Sequence, residues 1–314
     1  MTTVQDAAAP ADAAPPTKER RATRRPPPGR RTAWLAILPA ALLLGTFVGY
    51  PIINSIQLSF SHWDGLGTPK WIGLSNYSSV LSDSAVAHAT WVTVQIALLS
   101  AGGIVIIATL LAAAVSAGAR GSGFYRIVWF LPGVAPGTAV AIFWSQAYAP
   151  QNGAVNIVLG WLGIGDLHTW LADPHTAIYP VAATAVWAGV GFAFLLVLGA
   201  TEQIPVEVYE AARLDGASAV RQFFSITVPL IRPVLAITTM LEIVWAANGF
   251  TIVYAMTNGG PGNATTTLPL LIYARAFQYT DFGTATAMAV LSGVALTLLG
   301  VIAQRVGNSA QKEA

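Results

Sequence analysis

The chain has 314 residues, of which 54% are hydrophobic and only 10% charged, with a formal net charge of +2 and a mean hydropathy of +0.60. A soluble domain carries charge on about a quarter of its residues, so this chain has too little to cover a water-facing surface and reads as integral membrane. Cysteine is absent, which excludes a disulfide, a thiolate nucleophile and a cysteine-ligated metal.

Residues 1–31 are rich in Ala, Pro, Thr and Arg and nearly empty of large apolar side chains. Such a segment cannot bury enough surface to offset its ordering entropy, so a disordered basic tail is expected. Apolar stretches follow over 33–59, 88–117, 125–148, 177–200, 231–257 and 284–304. Each suits a bilayer core about 30 Å thick, which needs roughly 20 helical residues. The third contains "FLPGVAPG", with Pro132 and Pro136. Proline removes a backbone donor, so this span is predicted to bend or to begin with an irregular turn.

The expected fold class is all-α integral membrane with six transmembrane helices. Its parts are the tail 1–31, a six-helix domain over 32–307 and a short tail 308–314. Basic residues set the direction. Lys18, Arg20, Arg21, Arg24, Arg25, Arg30 and Arg31 precede the first span. Arg120 and Arg126 flank the loop before the third, Arg213, Arg221 and Arg232 lie between the fourth and fifth, and Arg305 and Lys312 follow the sixth. The alternate loops hold only Lys70 and Arg275. This asymmetry predicts that both termini are cytoplasmic.

Among the outer loops, 61–85 carries Trp63, Trp71 and Tyr77, aromatics suited to the headgroup zone. The apolar run within 149–176 is too short to span and suggests an interfacial or re-entrant helix. The loop 258–283 contains "NGGPGN", a turn by composition.

One polar island stands apart: "EVYEAARLDGASAVRQFFSITVP", residues 207–229. Pro205 suits the first turn of a helix over 206–214. Asp215-Gly216 should stop that helix, and Ser218 should cap a second one running toward Pro229. Ala211 and Ala212 leave one side thin, and Glu210 and Arg213 are helix neighbours. On residues alone the island is either a knob for a partner or a solvated loop helix.

The spacing Glu210-Ala211-Ala212, three residues, Gly216, nine residues, Ile226, one residue, Val228-Pro229 resembles the EAA signature of ATP-binding-cassette (ABC) importer permeases, with Val228 in place of leucine. The resemblance covers about residues 34–305 and narrows to the maltose and glycerol-3-phosphate group, through "YPIINSIQLSF", "WIGLSNYSSVL", the Gly-x-x-Asn turn after the third span, and "TNGGP" with its threonine run. The last feature is similar to the maltose-F-like member of the usual permease pair. The resemblance implies a coupling loop, with Glu210, Ala211, Ala212, Arg213, Asp215 and Gly216 docking on an ABC ATPase homodimer. It also implies a second permease subunit, an extracytoplasmic sugar-binding protein, and a bacterial plasma-membrane location within lipid. No nucleic acid and no cofactor are implied.

For the substrate, Glu242, Trp245 and Asn248 follow one another in steps of three along the fifth span, within one broad sector of a helix. They supply a carboxylate, an aromatic face and an amide, the groups a sugar site needs. The resemblance points most directly to Asn248. The other possibility is that Glu242 and Asn248 only hydrogen-bond neighbouring helices. Trp144, Trp187 and Tyr254 read mainly as packing, and His88 and His175 as interfacial. No His-x-x-His or acidic cluster suggests a metal.

A Gly-x-x-x-x-Gly-Lys-Ser/Thr run is absent, so ATP hydrolysis belongs to another chain and this one is expected to be non-catalytic. The alternatives are an ion-coupled secondary transporter, for which Glu242 is the one acid within the spans, and a membrane enzyme, for which no nucleophile–base set is found.

Overall fold

The structure, a computed structural model, describes residues 30–116, 121–164 and 168–312. The tail 1–31 therefore lies almost wholly outside the described residues, as does Arg120. The chain divides into two compact units, Met1–Pro51 and Ile52–Ala314.

In the first unit, α1 (Arg30–Leu44) runs into a π-helical turn, Gly45–Gly49. The Tyr50 amide reaches back five residues to the Gly45 carbonyl. Pro51 follows, whose ring would collide with a carbonyl four residues back in an α-helix, and the widened turn relieves that clash.

Among the described residues the second unit is built from α2 (Tyr50–Ser59, shared with the first unit's end), a two-stranded antiparallel pair, β1 (Ser61–His62) and β2 (Lys70–Trp71), and twelve further α-helices. These are α3 (Ser75–Ser82), α4 (Ser84–Ser116), α5 (Ser122–Val134), α6 (Gly137–Ala147), α7 (Ala154–Trp161) and α8 (Ile178–Thr201). Then come α9 (Val206–Leu214), α10 (Ala219–Gln222), α11 (Val228–Ala247), α12 (Thr251–Met256), α13 (Leu268–Tyr273) and α14 (Phe282–Lys312). The predicted C-terminal tail thus begins inside a helix that continues to Lys312.

Five helices among the described residues are long and apolar enough to cross a membrane, or six if one bent pair counts as a span. That pair is the predicted third span. The bend expected from its prolines is present: α5 and α6 meet at 97° across Ala135-Pro136. Pro136 cannot donate back to α5, and the extended backbone at Ala135 turns the chain. The predicted fifth span over 231–257 is also interrupted. It starts earlier, with α10 widening through a π turn (Phe223–Thr227) into α11, and it breaks at Asn248-Gly249-Phe250 before α12. The π turn again precedes a proline, Pro229.

The core lies where α4, α8 and α11 pack together. Ile104, Ala108, Ala112 and Val115 of α4 meet Val190, Ala193, Phe194, Val197 and Leu198 of α8 and Ile231 of α11. Small residues let these backbones approach, as expected where lipid removes the hydrophobic drive between helices. Gly191 is the clearest case: a Cβ there would sit 2.2 Å from the Trp129 carbonyl oxygen of α5.

At the end away from α9 and α10, polar side chains tie the loops. Asn76 donates to the carbonyls of Ser59 and Ser61, each at 2.9 Å. Asn156, in the predicted Gly-x-x-Asn turn, donates to Pro150 and His168 carbonyls and accepts from the Trp170 indole at 2.8 Å. The short α7 is the helix expected in 149–176. "NGGPGN" is a turn, with positive φ at Asn258, Gly259, Gly262 and Asn263. The threonine run fastens it: Thr265 donates to the Gly260 carbonyl and Thr266 to that of Gly259.

Candidate functional site

Two sites emerge, a cavity within the helices and an elbow between α8 and α11. The cavity has a volume of about 600 Å³. Its walls come from α4, α5, α6, α8, α11 and α12. Glu242, Trp245 and Asn248 all line it, so the structure brings the three predicted residues together.

Each is held differently. Glu242 is 3% exposed, and its Oε1 has no hydrogen-bond partner among the described groups. Across from it stands Gly189 of α8, where a Cβ would lie 3.5 Å from Glu242 Oε2. Trp245 is half exposed and tilts against Phe192, ring centroids 5.1 Å apart. Asn248 ends α11, and its side-chain amide donates to the Val244 carbonyl at 2.8 Å. Asn248 therefore sits at a helix break rather than within a continuous span. Broken helices at membrane depth are tolerated where they line a cavity, because the freed backbone groups find partners there.

Ser100 of α4 also lines the cavity, fully buried and without a partner for its hydroxyl. Sequence reasoning missed it, as nothing in the apolar run of α4 marks one serine. Trp144 and Trp187 pack edge to face at 5.6 Å, and Tyr254 stacks on Phe250, itself in the cavity wall. His88 does more than sit at a span end: its Nε2 lies 3.1 Å from the Asn263 carbonyl oxygen of the Gly-Gly-Pro turn. Among the described residues no group of three or more His, Cys, Asp or Glu could hold a metal.

The elbow follows the predicted outline. Pro205 stands just before α9, not in its first turn. The helix ends in a Schellman motif: the Ala217 amide donates to the Ala212 carbonyl, and the Gly216 amide to that of Arg213, with Gly216 at φ +77°. The Ser218 hydroxyl accepts from the Arg221 amide and caps α10. Buried Gln222 donates to the Ala217 carbonyl at 2.8 Å, which locks the bend.

Glu210, Ala211, Arg213, Asp215 and Gly216 are exposed and Ala212 is half-buried. Glu210 and Arg213 are not among the described ion pairs, which join Arg126 to Glu202 and Arg275 to Asp83. At the tip Leu214 is 90% exposed, an apolar side chain that the search for polar signals passed over. The Arg126–Glu202 pair ties α5 to the end of α8 beside the elbow.

Residues 104–309 match the family described as binding-protein-dependent transport system inner membrane component. The chain is 32% identical to the trehalose/maltose transport system permease protein MalF of Thermococcus litoralis, over 88% of this chain and 94% of that protein. Its fold is similar to a bacterial ABC transporter involved in the import of the acidic polysaccharide alginate, with a TM-score of 0.75 and 21% identity, over 89% of this chain and 96% of the other. A second structure, of a bacterial alginate ABC transporter in complex with alginate pentasaccharide-bound periplasmic protein, gives a TM-score of 0.73 and 21% identity, over 87% and 92%.

Proposed function

The chain belongs to the family of binding-protein-dependent transport system inner membrane components, and from that premise we propose that it is the permease subunit of an ABC importer that carries a sugar or oligosaccharide inward. The observation that carries this reading is the extent of the match, which takes in the whole elbow and most of the cavity wall.

The cavity is the sugar site in this proposal. Trp245 offers a face to pyranose C–H groups, while Asn248 and Glu242 meet hydroxyls. The elbow is the coupling site: α9 seats in a groove of an ABC ATPase homodimer, with Leu214 leading and Glu210, Ala211, Ala212, Arg213, Asp215 and Gly216 around it. A second permease completes the pathway, an extracytoplasmic binding protein delivers the sugar, and both termini are cytoplasmic. ATP binding closes the ATPase pair and drags the elbow, the spans rock outward, and hydrolysis returns them with sugar released inside.

The test is co-purification in detergent of wild type against a Glu210→Lys, Gly216→Trp variant. Nothing lies within 4 Å of the point a Cβ would occupy at Gly216, so the substitution costs backbone strain while its Cβ meets no neighbour. Wild type is expected to bring down an ATPase and a second permease, and the variant to lose the ATPase. Wild type purifying alone, or a variant that keeps the ATPase, overturns the coupling role. Uptake that survives ATP depletion with the membrane potential held would then select the ion-coupled alternative.

A further inference from the structure

We infer that α7 and the turn after it lie in the membrane interface, with Ile157, Val158, Trp161, Leu162 and Ile164 seated in the lipid of the leaflet away from the elbow. The inference goes beyond the importer reading and does not depend on what the chain carries.

The first observation is that α7 is inside out. A helix on a water-facing surface turns its apolar stripe inward and its polar side out. Here the polar residue faces in: Asn156 is buried and held by its three hydrogen bonds to Pro150, His168 and Trp170. Ile157, Val158, Trp161 and Leu162 recur at the spacing of one helix face. All four are exposed, Trp161 by 81% and Leu162 by 69%. Ile164, in the turn that follows, is exposed as well. Isolated exposed apolar side chains need no explanation, but an apolar face does.

The second observation is the level at which α7 sits. α8 has 24 residues, about 36 Å at 1.5 Å each, against a hydrocarbon core about 30 Å thick. Its last turn is followed by the Arg126–Glu202 pair, so its first turn stands at the opposite edge of that core. α7 is joined to that first turn. Val155 of α7, Trp170 and Ile178, the first residue of α8, pack against one apolar cluster. The Trp170 indole bonds Asn156, and the Trp170 carbonyl accepts from the Thr176 hydroxyl just before α8. Aromatic residues mark the same edge. α4 and α8 run side by side in one direction, Gly103 against Val186 and Ile104 against Gly189, which sets exposed Trp91 and Tyr179 about one turn apart. Tryptophan and tyrosine collect at the headgroup level, and Trp161 joins them.

Charge separates lipid from a soluble partner. From 127 to 165 the chain has no Asp, Glu, Lys, Arg or His, so α7 offers nothing to steer or register such a partner. Free amphipathic helices bind lipid with help from basic side chains. α7 is already carried to the interface by the spans on either side, and its apolar face alone suffices.

The experiment uses the full chain with the subunits that co-purify, in liposomes of phosphatidylethanolamine and phosphatidylglycerol. The chain has no cysteine, so the unsubstituted preparation supplies the background for spin labels placed singly through Ile157→Cys, Leu162→Cys and a control, Asn152→Cys. Asn152 is exposed and precedes the helix, and both test positions leave Trp161 in place. A single symmetric peak on size exclusion shows that a variant has folded, and one test position suffices where the other fails. Relaxation of the label by dissolved oxygen, which concentrates in lipid, is compared with relaxation by a water-soluble nickel chelate. The oxygen-to-nickel ratio should be severalfold higher at 157 and 162 than at 152. A ratio as low as at 152 means that α7 stands in water and overturns the inference. Protection from both reagents means that protein covers the face, a second permease or another copy of this chain, and overturns it equally. Neither result bears on the importer reading, which the co-purification tests separately.

Discussion

The phenolic oxygen of Tyr209 lies 2.9 Å from the hydroxyl oxygen of Thr227. The first belongs to α9, the exposed arm of the elbow, and the second is buried in the π turn that opens the long helix toward the cavity. This bond and the Gln222–Ala217 bond tie the elbow to the start of α11. Tyr209→Phe removes the link and leaves the packing. A neutral hydrogen bond contributes about 0.5–1.5 kcal/mol, so the sugar imported per ATP hydrolysed should fall severalfold while ATPase binding persists. Parallel assays of uptake and phosphate release check this. An unchanged ratio would mean that motion enters by another route.

Gly216 offers a graded test of the elbow's shape. Its φ of +77° suits glycine and is tolerable for asparagine. Gly216→Asn should retain most ATP-driven uptake. Gly216→Val should cost roughly 1–2 kcal/mol in backbone strain and loosen α9, measured as faster amide exchange over 206–214.

Gly191 tests the core. A methyl there would meet the Trp129 carbonyl oxygen at 2.2 Å and the Phe130 Cα at 2.7 Å, backbone atoms that cannot step aside. Gly191→Ala should cost at least about 2 kcal/mol by overpacking and lower the thermal unfolding midpoint in detergent. Gly199, on the same helix with nothing within 4 Å, is the control. Its change to alanine should be neutral or stabilising by up to about 1 kcal/mol.

Asn156 organises the loop between α6 and α8 through three hydrogen bonds. Asn156→Ala leaves the Trp170 indole without its acceptor. Loss of protection at the amides of α7 is expected, with α4 and α8 unaffected, as read by hydrogen exchange. Equal loss throughout would show that the loop is integral to the core.

The elbow was legible from sequence because its signals are local. A proline before a helix, a glycine after it and a serine before the next each act on backbone within a few residues of themselves. The cavity was half legible: three residues at steps of three pointed to one sector, yet Ser100 and Gly189 join them only once α4 and α8 pack. The two interrupted spans show the limit of hydropathy, although the prolines of the third did announce its bend. Neither Pro136 nor Asn248-Gly249 lowers the apolar content of a 20-residue window enough to divide it, although each ends a helix. Family resemblance supplied the proposed coupling role, which local physics left open between a docking knob and a solvated helix.

The right-angled junction between α5 and α6 has a mechanical consequence. An ordinary span that twists about its own axis moves nothing sideways. Here α6 projects across the direction of α5 at 97°, like the arm of a crank. Its 11 residues make an arm of about 16 Å at 1.5 Å per residue. A twist of α5 by about 10° would sweep the far end of that arm through about 3 Å. The shaft is gripped at its base by the Arg126–Glu202 pair beside the elbow, while the arm packs on α12 at the cavity rim. A small torque at the elbow would thereby become a lateral stroke at the wall of the cavity.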